Sequence, residues 1–455
     1  MASELNGIAA REVNVTSLID NQKIGAFQIR ILILCALVMF LDGFDTQIVA
    51  YIVPVIAKEW HVTKAELGPI FSLGLAGLMV GFLVLSPLSD RIGRRKLILL
   101  STVMFGVFTF ATAFVSNIWE LGALRFLTGL GLGGAAPGAV ALTSEYSPKR
   151  LRATWVLIIY CGFSLGFIAA GAAAQLIPAY GWRSVLWMGA AAPIIAAVLI
   201  AAFLPESIES LMKVPNGIER IKRTLKQLNP VASFDDVTAI RKDDVEVKVR
   251  PVEALFGGGR TLGTFMIWIA FFMNLGMFYF LQSWLPVMLT DLGYAVAVVA
   301  TVTALTTAGG IIAVVFVGPM MDRSNPYLTV AGLFLGGAVL VAALGATLSS
   351  ELPVLMTMAF LAGFCISGGQ KSGIALSALF YPLSVRSTGV GWCLGISRIG
   401  GIIAPMIVGG LLERKWPAPD IFYAGAWPMI CAGVAILVMG YRYHTKSSVK
   451  SRANG

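Results

Sequence analysis

Twelve apolar runs, each long enough to cross a bilayer, limit the fold of this chain more than any other feature. They sit near residues 27–56, 67–88, 97–116, 118–142, 153–178 and 183–204, then 261–289, 295–319, 328–348, 352–380, 387–412 and 421–441. A helix needs about 20 apolar residues to span the hydrocarbon core, and a lipid-exposed backbone must satisfy its hydrogen bonds within the helix. The expected fold class is therefore an all-α membrane protein with twelve transmembrane helices. These spans take up most of the 455 residues and leave no room for a large extramembrane enzyme domain. A charged fraction of 13%, about half that of a soluble domain, agrees.

The net charge of +10 is unevenly placed. Of the 34 Lys and Arg, 26 fall on the side that holds both termini and the central linker. Five lie on the other side (Lys58, Lys64, Arg183, Arg414, Lys415) and three inside spans. This bias places both termini in the cytoplasm. No basic cluster with interleaved aromatics offers a nucleic-acid surface. The first 25 residues mix Glu4, Arg11, Glu12, Asp20 and Lys23 without an apolar core, so no cleavable signal peptide is expected. Cys35, Cys161, Cys365, Cys393 and Cys431 lie in apolar runs at no metal or redox spacing and are packing residues; no metal and no cofactor is expected. His61 and His444 lie in a loop and near the terminus, and no nucleophile and base come together, so the chain is not expected to be an enzyme.

The spans divide six and six. The expected organisation is an N-terminal segment 1–26, a bundle 27–204, a cytoplasmic linker 205–260, a second bundle 261–441 and a tail 442–455. Mixed charges in the linker, as in Arg241-Lys242-Asp243-Asp244, predict short surface helices or a flexible connection. The halves repeat each other: Asp90-Arg91 recurs as Asp322-Arg323, Phe126-Leu127 as Phe360-Leu361, Gly133-Gly134 as Gly368-Gly369, and Tyr146-x-Pro148 as Tyr381-Pro382, at offsets of 232 to 235 residues. Two homologous six-helix halves joined by a cytoplasmic linker describe a transporter with one central site, exposed to each side in turn by rocking.

Five ionisable residues lie inside spans: Asp42, Asp45, Arg125, Lys371 and Arg398. Each costs about 2.5–3.5 kcal/mol at mid-bilayer if unpaired, so they must face a polar cavity or one another. Asp42 and Asp45 are three residues apart and share one helix face. Two carboxylates so close in a partly dry site cannot both ionise cheaply, which suits a reversible proton carrier. The alternative is a structural pair bonded to neighbouring helices. Arg398 lies near the midplane of the eleventh span, Arg125 about 10 Å deep in the fourth, and Lys371 follows Gln370 in the tenth. A guanidinium in a cavity can hold a substrate carboxylate bidentately; equally, each cation balances an aspartate or a helix end. Aromatic and amide side chains thread the same region, among them Tyr279, Asn274 and Gln282 in the seventh span and Trp392 in the eleventh. Cations at one end and rings at the other would suit an aromatic acid.

Ser86-Pro87-Leu88-Ser89-Asp90-Arg91-Ile92-Gly93-Arg94-Arg95-Lys96 resembles the loop signature of the major facilitator superfamily, with a weaker copy at Gly318 to Arg323. Ser86 stands where that signature usually has glycine. Asp42-Gly43-Phe44-Asp45, Arg125 with Gly129, and the stretch from Tyr381 through Arg386-Ser387-Thr388-Gly389 to Arg398-Ile399-Gly400 are similar to the aromatic acid:proton symporters.

That resemblance implies uptake of a benzoate-type or hydroxybenzoate-type acid with protons across a bacterial inner membrane. It assigns Asp42 and Asp45 to proton coupling. Arg398, Lys371, Arg125, Gln370, Tyr279, Asn274 and Trp392 are the candidates for substrate binding. The cytoplasmic gate takes Asp90, Arg91, Gly93, Arg94, Glu145, Asp322, Arg323 and Arg386. The expected working unit is a monomer in the lipid bilayer, driven by the proton gradient alone. Three alternatives remain: a carrier of muconate or another dicarboxylate, a proton-driven exporter, and a sensor of aromatic acids.

Overall fold

The computed structural model describes residues 11–215, 217–230, 232, 234, 237–241, 252–382 and 385–453. A short strand β1 (Arg11–Asn14) and helix α1 (Val15–Asn21) precede the first long helix. The first half contains α2 (Ala26–Glu59), α3 (Lys64–Ile92), α4 (Arg94–Thr112), α5 (Ile118–Tyr146), α6 (Arg152–Ala174), the single turn α7 (Ile177–Tyr180) and α8 (Trp182–Phe203). The linker holds α9 (Ile208–Met212), α10 (Gly217–Leu228) and β2 (Val237–Arg241). The second half contains α11 (Thr261–Asp291), α12 (Val296–Arg323), α13 (Pro326–Ala346), α14 (Leu352–Phe380), α15 (Arg386–Glu413) and α16 (Ala418–Ala453). Among the described residues twelve helices are long and apolar enough to cross a membrane, six in each half, so the expected all-α, twelve-span fold holds. With an even number of such helices in each half, the described residues before α2 and after the apolar part of α16 share one end of the molecule with the linker.

Local chemistry sets the helix ends. Thr63 and Glu66 form a capping box at the start of α3, with the Thr63 amide donating to Glu66 Oε2 at 2.8 Å. Asn117 accepts from the Glu120 amide at 3.0 Å and starts α5; Asn325 accepts from the Tyr327 amide at 3.0 Å and starts α13. Gly93 separates α3 from α4 with φ +102°, a conformation only glycine adopts without strain. Within the first half, α2 and α6 approach so closely that a Cβ on Gly43 would fall 2.0 Å from the Phe163 carbonyl oxygen. Gly43 therefore lets the helix carrying both aspartates lie flat on its neighbour.

The linker is more ordered than its charges alone suggest. In α10, Ile221, Leu225 and Leu228 repeat at helical spacing and are buried. They join Val15 and Ile19 of α1, Phe234 and Val237 in one core cluster with the linker end of the first half. β1 pairs in parallel with β2, so the N-terminal segment and the linker form one small module on the first bundle. Lys242, Asp243 and Asp244 lie outside the described residues.

The halves meet through α2 against α11, α3 against α15 and α6 against α12. The second and third contacts exchange under the internal repeat, as a twofold relation between halves requires. Hydrogen bonds across this seam lie toward the far end, away from the linker. Lys64 Nζ pairs with Asp291 at 2.7 Å, Ser72 Oγ donates to the Ile402 carbonyl at 2.6 Å, and Gln47 Nε2 donates to the Gln282 carbonyl at 3.2 Å. Phe71 and Trp284 meet edge to face at 5.5 Å. The far end is closed by these contacts.

Candidate functional site

The two aspartates of α2, one helical turn apart, have different partners. Asp45 is 3% exposed. Its Oδ2 receives Arg125 Nη1 from α5 at 3.1 Å, and its Oδ1 receives the Thr109 hydroxyl from α4 at 2.8 Å. The guanidinium is held further by Thr112 at 3.4 Å and Thr128 at 3.3 Å. Both charges are buried and neutralise each other between helices of the first half. Arg125 Nε is left without a partner.

Asp42 looks across the seam. It is 4% exposed and accepts only a long bond from Thr46 Oγ1, at 3.4 Å. Among the described residues it forms no ion pair. The cation with electrostatic reach to it is Arg398 of α15. That guanidinium packs over the Phe82 ring of α3, 4.8 Å from the centroid, with the Tyr279 side chain of α11 within its electrostatic reach. Tyr160 of α6 lies within reach of the same two charges. One acid from the first half and one base from the second thus face each other at the centre of the spans, with aromatic groups from α3, α6 and α11 around them.

The other candidates spread over the second half. Lys371 Nζ donates to the Gly310 carbonyl of α12 at 3.1 Å and lies near Cys161 of α6. Gln370, beside it, is half-buried. Asn274 Nδ2 donates to the Ile366 carbonyl at 3.1 Å, tying α11 to α14. Trp392 is 42% exposed and stacks on Trp268 at 5.7 Å. Arg398 and Tyr279 are therefore the pair that reaches Asp42, while Lys371, Asn274 and Trp392 each bond or stack within other helix pairs.

At the linker end of the first half, Arg94 bridges Glu145 of α5 at 2.9 Å and Glu209 of α9 at 2.7 Å. The Arg95 amide donates to Glu206 Oε1 at 3.0 Å, and the Tyr146 hydroxyl donates to the Glu206 carbonyl at 2.7 Å. A Cβ at Gly93 would sit 2.5 Å from Glu206 Oε2, so the turn and the acid fit together. Arg91 and Arg323 are exposed, and Arg386 Nε donates to the Tyr381 carbonyl at 3.3 Å. The side chains of Asp90 and Asp322 lie outside the described residues. The sequence reading did not single out Glu206 or Glu209, yet Pro205-Glu206-Ser207-Ile208-Glu209 directly follows the sixth span and faces Arg94-Arg95 in charge. Thr109, Phe82 and Tyr160 carry no comparable signal, because their roles come from packing across helices.

A cavity continues from this centre toward the far end, between α2, α3, α5 and α11. Asp45, Thr46, Phe71, Leu75, Arg125, Tyr279 and Ser283 are among the residues that line it. No group of three or more His, Cys, Asp or Glu able to hold a metal ion occurs among the described residues. A charged pair split between two bundles, beside a partly apolar cavity, can bind a small anion and exchange a proton.

A profile of the Major Facilitator Superfamily matches residues 35–344 and 267–455. The chain is 37% identical over 440 residues to a 4-hydroxybenzoate transporter of Pseudomonas putida, covering 96% of this chain and 98% of that one. It is 36% identical over 430 residues to a gallate transporter of Pseudomonas putida, covering 94% and 95%. To a benzoate transport protein of Acinetobacter baylyi it is 31% identical over 441 residues, covering 95% and 94%. A D-xylose-proton symporter of known structure superposes with a TM-score of 0.70 at 16% identity, covering 91% of this chain and 97% of that chain, a likeness of fold alone.

Proposed function

The chain belongs to the Major Facilitator Superfamily and is a multi-pass membrane transporter rather than an enzyme, and we propose that it imports an aromatic carboxylate together with protons across the bacterial inner membrane. The observation that carries this reading is Asp42 facing Arg398 across the two halves without a fixed ion pair. The names of the relatives, which carry 4-hydroxybenzoate, gallate and benzoate, support the substrate class. The charge bias of the loops supports cytoplasmic termini and a cytoplasmic linker.

Coupling follows from charge balance at the centre. An ionised Asp42 competes with a substrate carboxylate for Arg398. A proton on Asp42 removes that competitor, and the acid then takes the guanidinium bidentately. The empty site, Asp42 anion with Arg398 cation, is neutral; the loaded site, protonated Asp42 with Arg398 and the bound carboxylate, is neutral as well. A site holding only the proton or only the acid carries a net charge, and taking that charge through the occluded state is costly. Proton and acid therefore cross together, one for one, and no cofactor takes part. The salt bridges around Arg94 and Glu145 hold α3, α5 and the linker as one body that moves with the first half. Lys371, a second cation facing the seam, is the feature that favours a dicarboxylate instead; competition by muconate against 4-hydroxybenzoate separates the two readings.

The test uses purified protein in liposomes with an inside-alkaline pH gradient and labelled 4-hydroxybenzoate. Accumulation that a protonophore abolishes, and that an imposed membrane potential leaves unchanged, is the expected result. Uptake that ignores the gradient overturns proton coupling.

A further inference from the structure

The proposed function leaves the far cavity beyond Asp42 and Arg398 unused, and one of its polar groups lacks a partner. Ser283 of α11 is 7% exposed and lines that cavity, and its hydroxyl has no hydrogen-bond partner among the described residues. Several buried hydroxyls of this half bond a carbonyl of the preceding turn: Thr303 to Val299, Ser372 to Gly368 and Ser377 to Ile374. Ser283 makes no such bond and, unlike Ser367, lines the cavity.

Its place along the helix gives the space a use. Tyr279, which lies within electrostatic reach of Arg398, and Ser283 are four residues apart on one face of α11. Asp42 and Thr46 are likewise four apart on α2, and Thr46 lines the same cavity. Ser283 thus lies about 6 Å, one helical turn, beyond Tyr279 toward the far end, the direction in which the ring of an acid held by Arg398 would extend. Phe71, Leu75 and Leu78 form an apolar wall of this cavity, which Asp45 and Arg125 also line. With the carboxylate on Arg398, the ring lies along that wall and its far substituent arrives at Ser283.

We propose that Ser283 selects the ring substituent, its free hydroxyl hydrogen-bonding a ring hydroxyl opposite the carboxylate. This rests on the aromatic-acid reading above. A ring without that hydroxyl leaves Ser283 unsatisfied and binds less well, while the apolar wall accepts either ring.

The experiment measures the apparent affinities of 4-hydroxybenzoate and benzoate in proteoliposomes containing wild type, Ser283→Ala or Ser283→Thr. The expected result is that Ser283→Ala lowers the preference for 4-hydroxybenzoate over benzoate by about five- to tenfold, with benzoate uptake retained as proof of folding. Ser283→Thr, which keeps a hydroxyl, retains the preference. An unchanged ratio in Ser283→Ala with both acids still transported overturns the proposal and leaves the aromatic-acid reading standing. Transport of neither acid by the wild type overturns that reading and this proposal with it. If Ser283→Ala loses uptake of both acids equally, Ser283 is a packing residue and the proposal fails.

Discussion

Asp45 and Asp42 stand one turn apart on the same helix, yet their surroundings differ in kind. Asp45 is paired within the first half, to Arg125 and Thr109 at 3.1 and 2.8 Å. Asp42 has one long bond to Thr46, at 3.4 Å, and a cation that belongs to the other half of the molecule. A buried pair within one rigid body keeps its geometry while the halves rock. A pair split between the bodies changes its separation with every cycle, and only the second kind of pair links charge state to conformation.

The largest expected effect comes from the cation of the split pair. Arg398→Gln leaves nothing for the carboxylate to hold, so exchange and accumulation both fall about 100-fold or more. Counterflow of labelled acid measures this, and near-normal exchange would move the substrate carboxylate elsewhere, with Lys371 the next cation to examine.

The closed pair should respond through stability. Asp45→Asn strands the Arg125 guanidinium in a dry interior and destabilises the protein by about 3–5 kcal/mol. Thermal unfolding in detergent reads that loss, and the double variant Asp45→Asn with Arg125→Gln should recover most of it. A single variant that unfolds normally but transports without proton coupling would erase the distinction between the two aspartates.

The smallest effect concerns the far-end closure. The pair Lys64–Asp291 is 31% and 39% exposed, so Lys64→Ala should weaken the closed state by about 0.5 kcal/mol, roughly a twofold change in population. A cysteine placed at Ser72 should then be alkylated from the far side about twice as fast. No change would put the closure in the apolar contacts of Phe71 and Trp284 instead.

Much of this arrangement was legible in the sequence. Twelve apolar runs, the internal repeat and the Asp90 to Lys96 loop pattern specify the spans and the two halves, because span length and repeat register are one-dimensional properties. The intramembrane charges could be named for the same reason: each is conspicuous in an apolar run. Their pairing could not. Helical spacing puts Asp42 and Asp45 on one face, but whether Arg125 or Arg398 meets each of them depends on how α5 and α15 are rotated against α2. Trp392 shows the same limit, since a ring in a span can face a cavity or stack on Trp268 with an unchanged sequence pattern. The linker's short helices are legible, but their packing is not: the charges hide the apolar stripe of Ile221, Leu225 and Leu228, whose partners in α1 lie some 200 residues earlier.

The most direct test of the split pair compares two assays on Asp42→Asn in proteoliposomes. Exchange of labelled for unlabelled acid at equal pH needs no net proton movement and should persist, because the asparagine stands in for the protonated aspartate. Accumulation driven by an inside-alkaline gradient should vanish, since the site has lost its proton carrier. Accumulation that persists in Asp42→Asn would contradict the assignment and return the proton to Asp45 or another group.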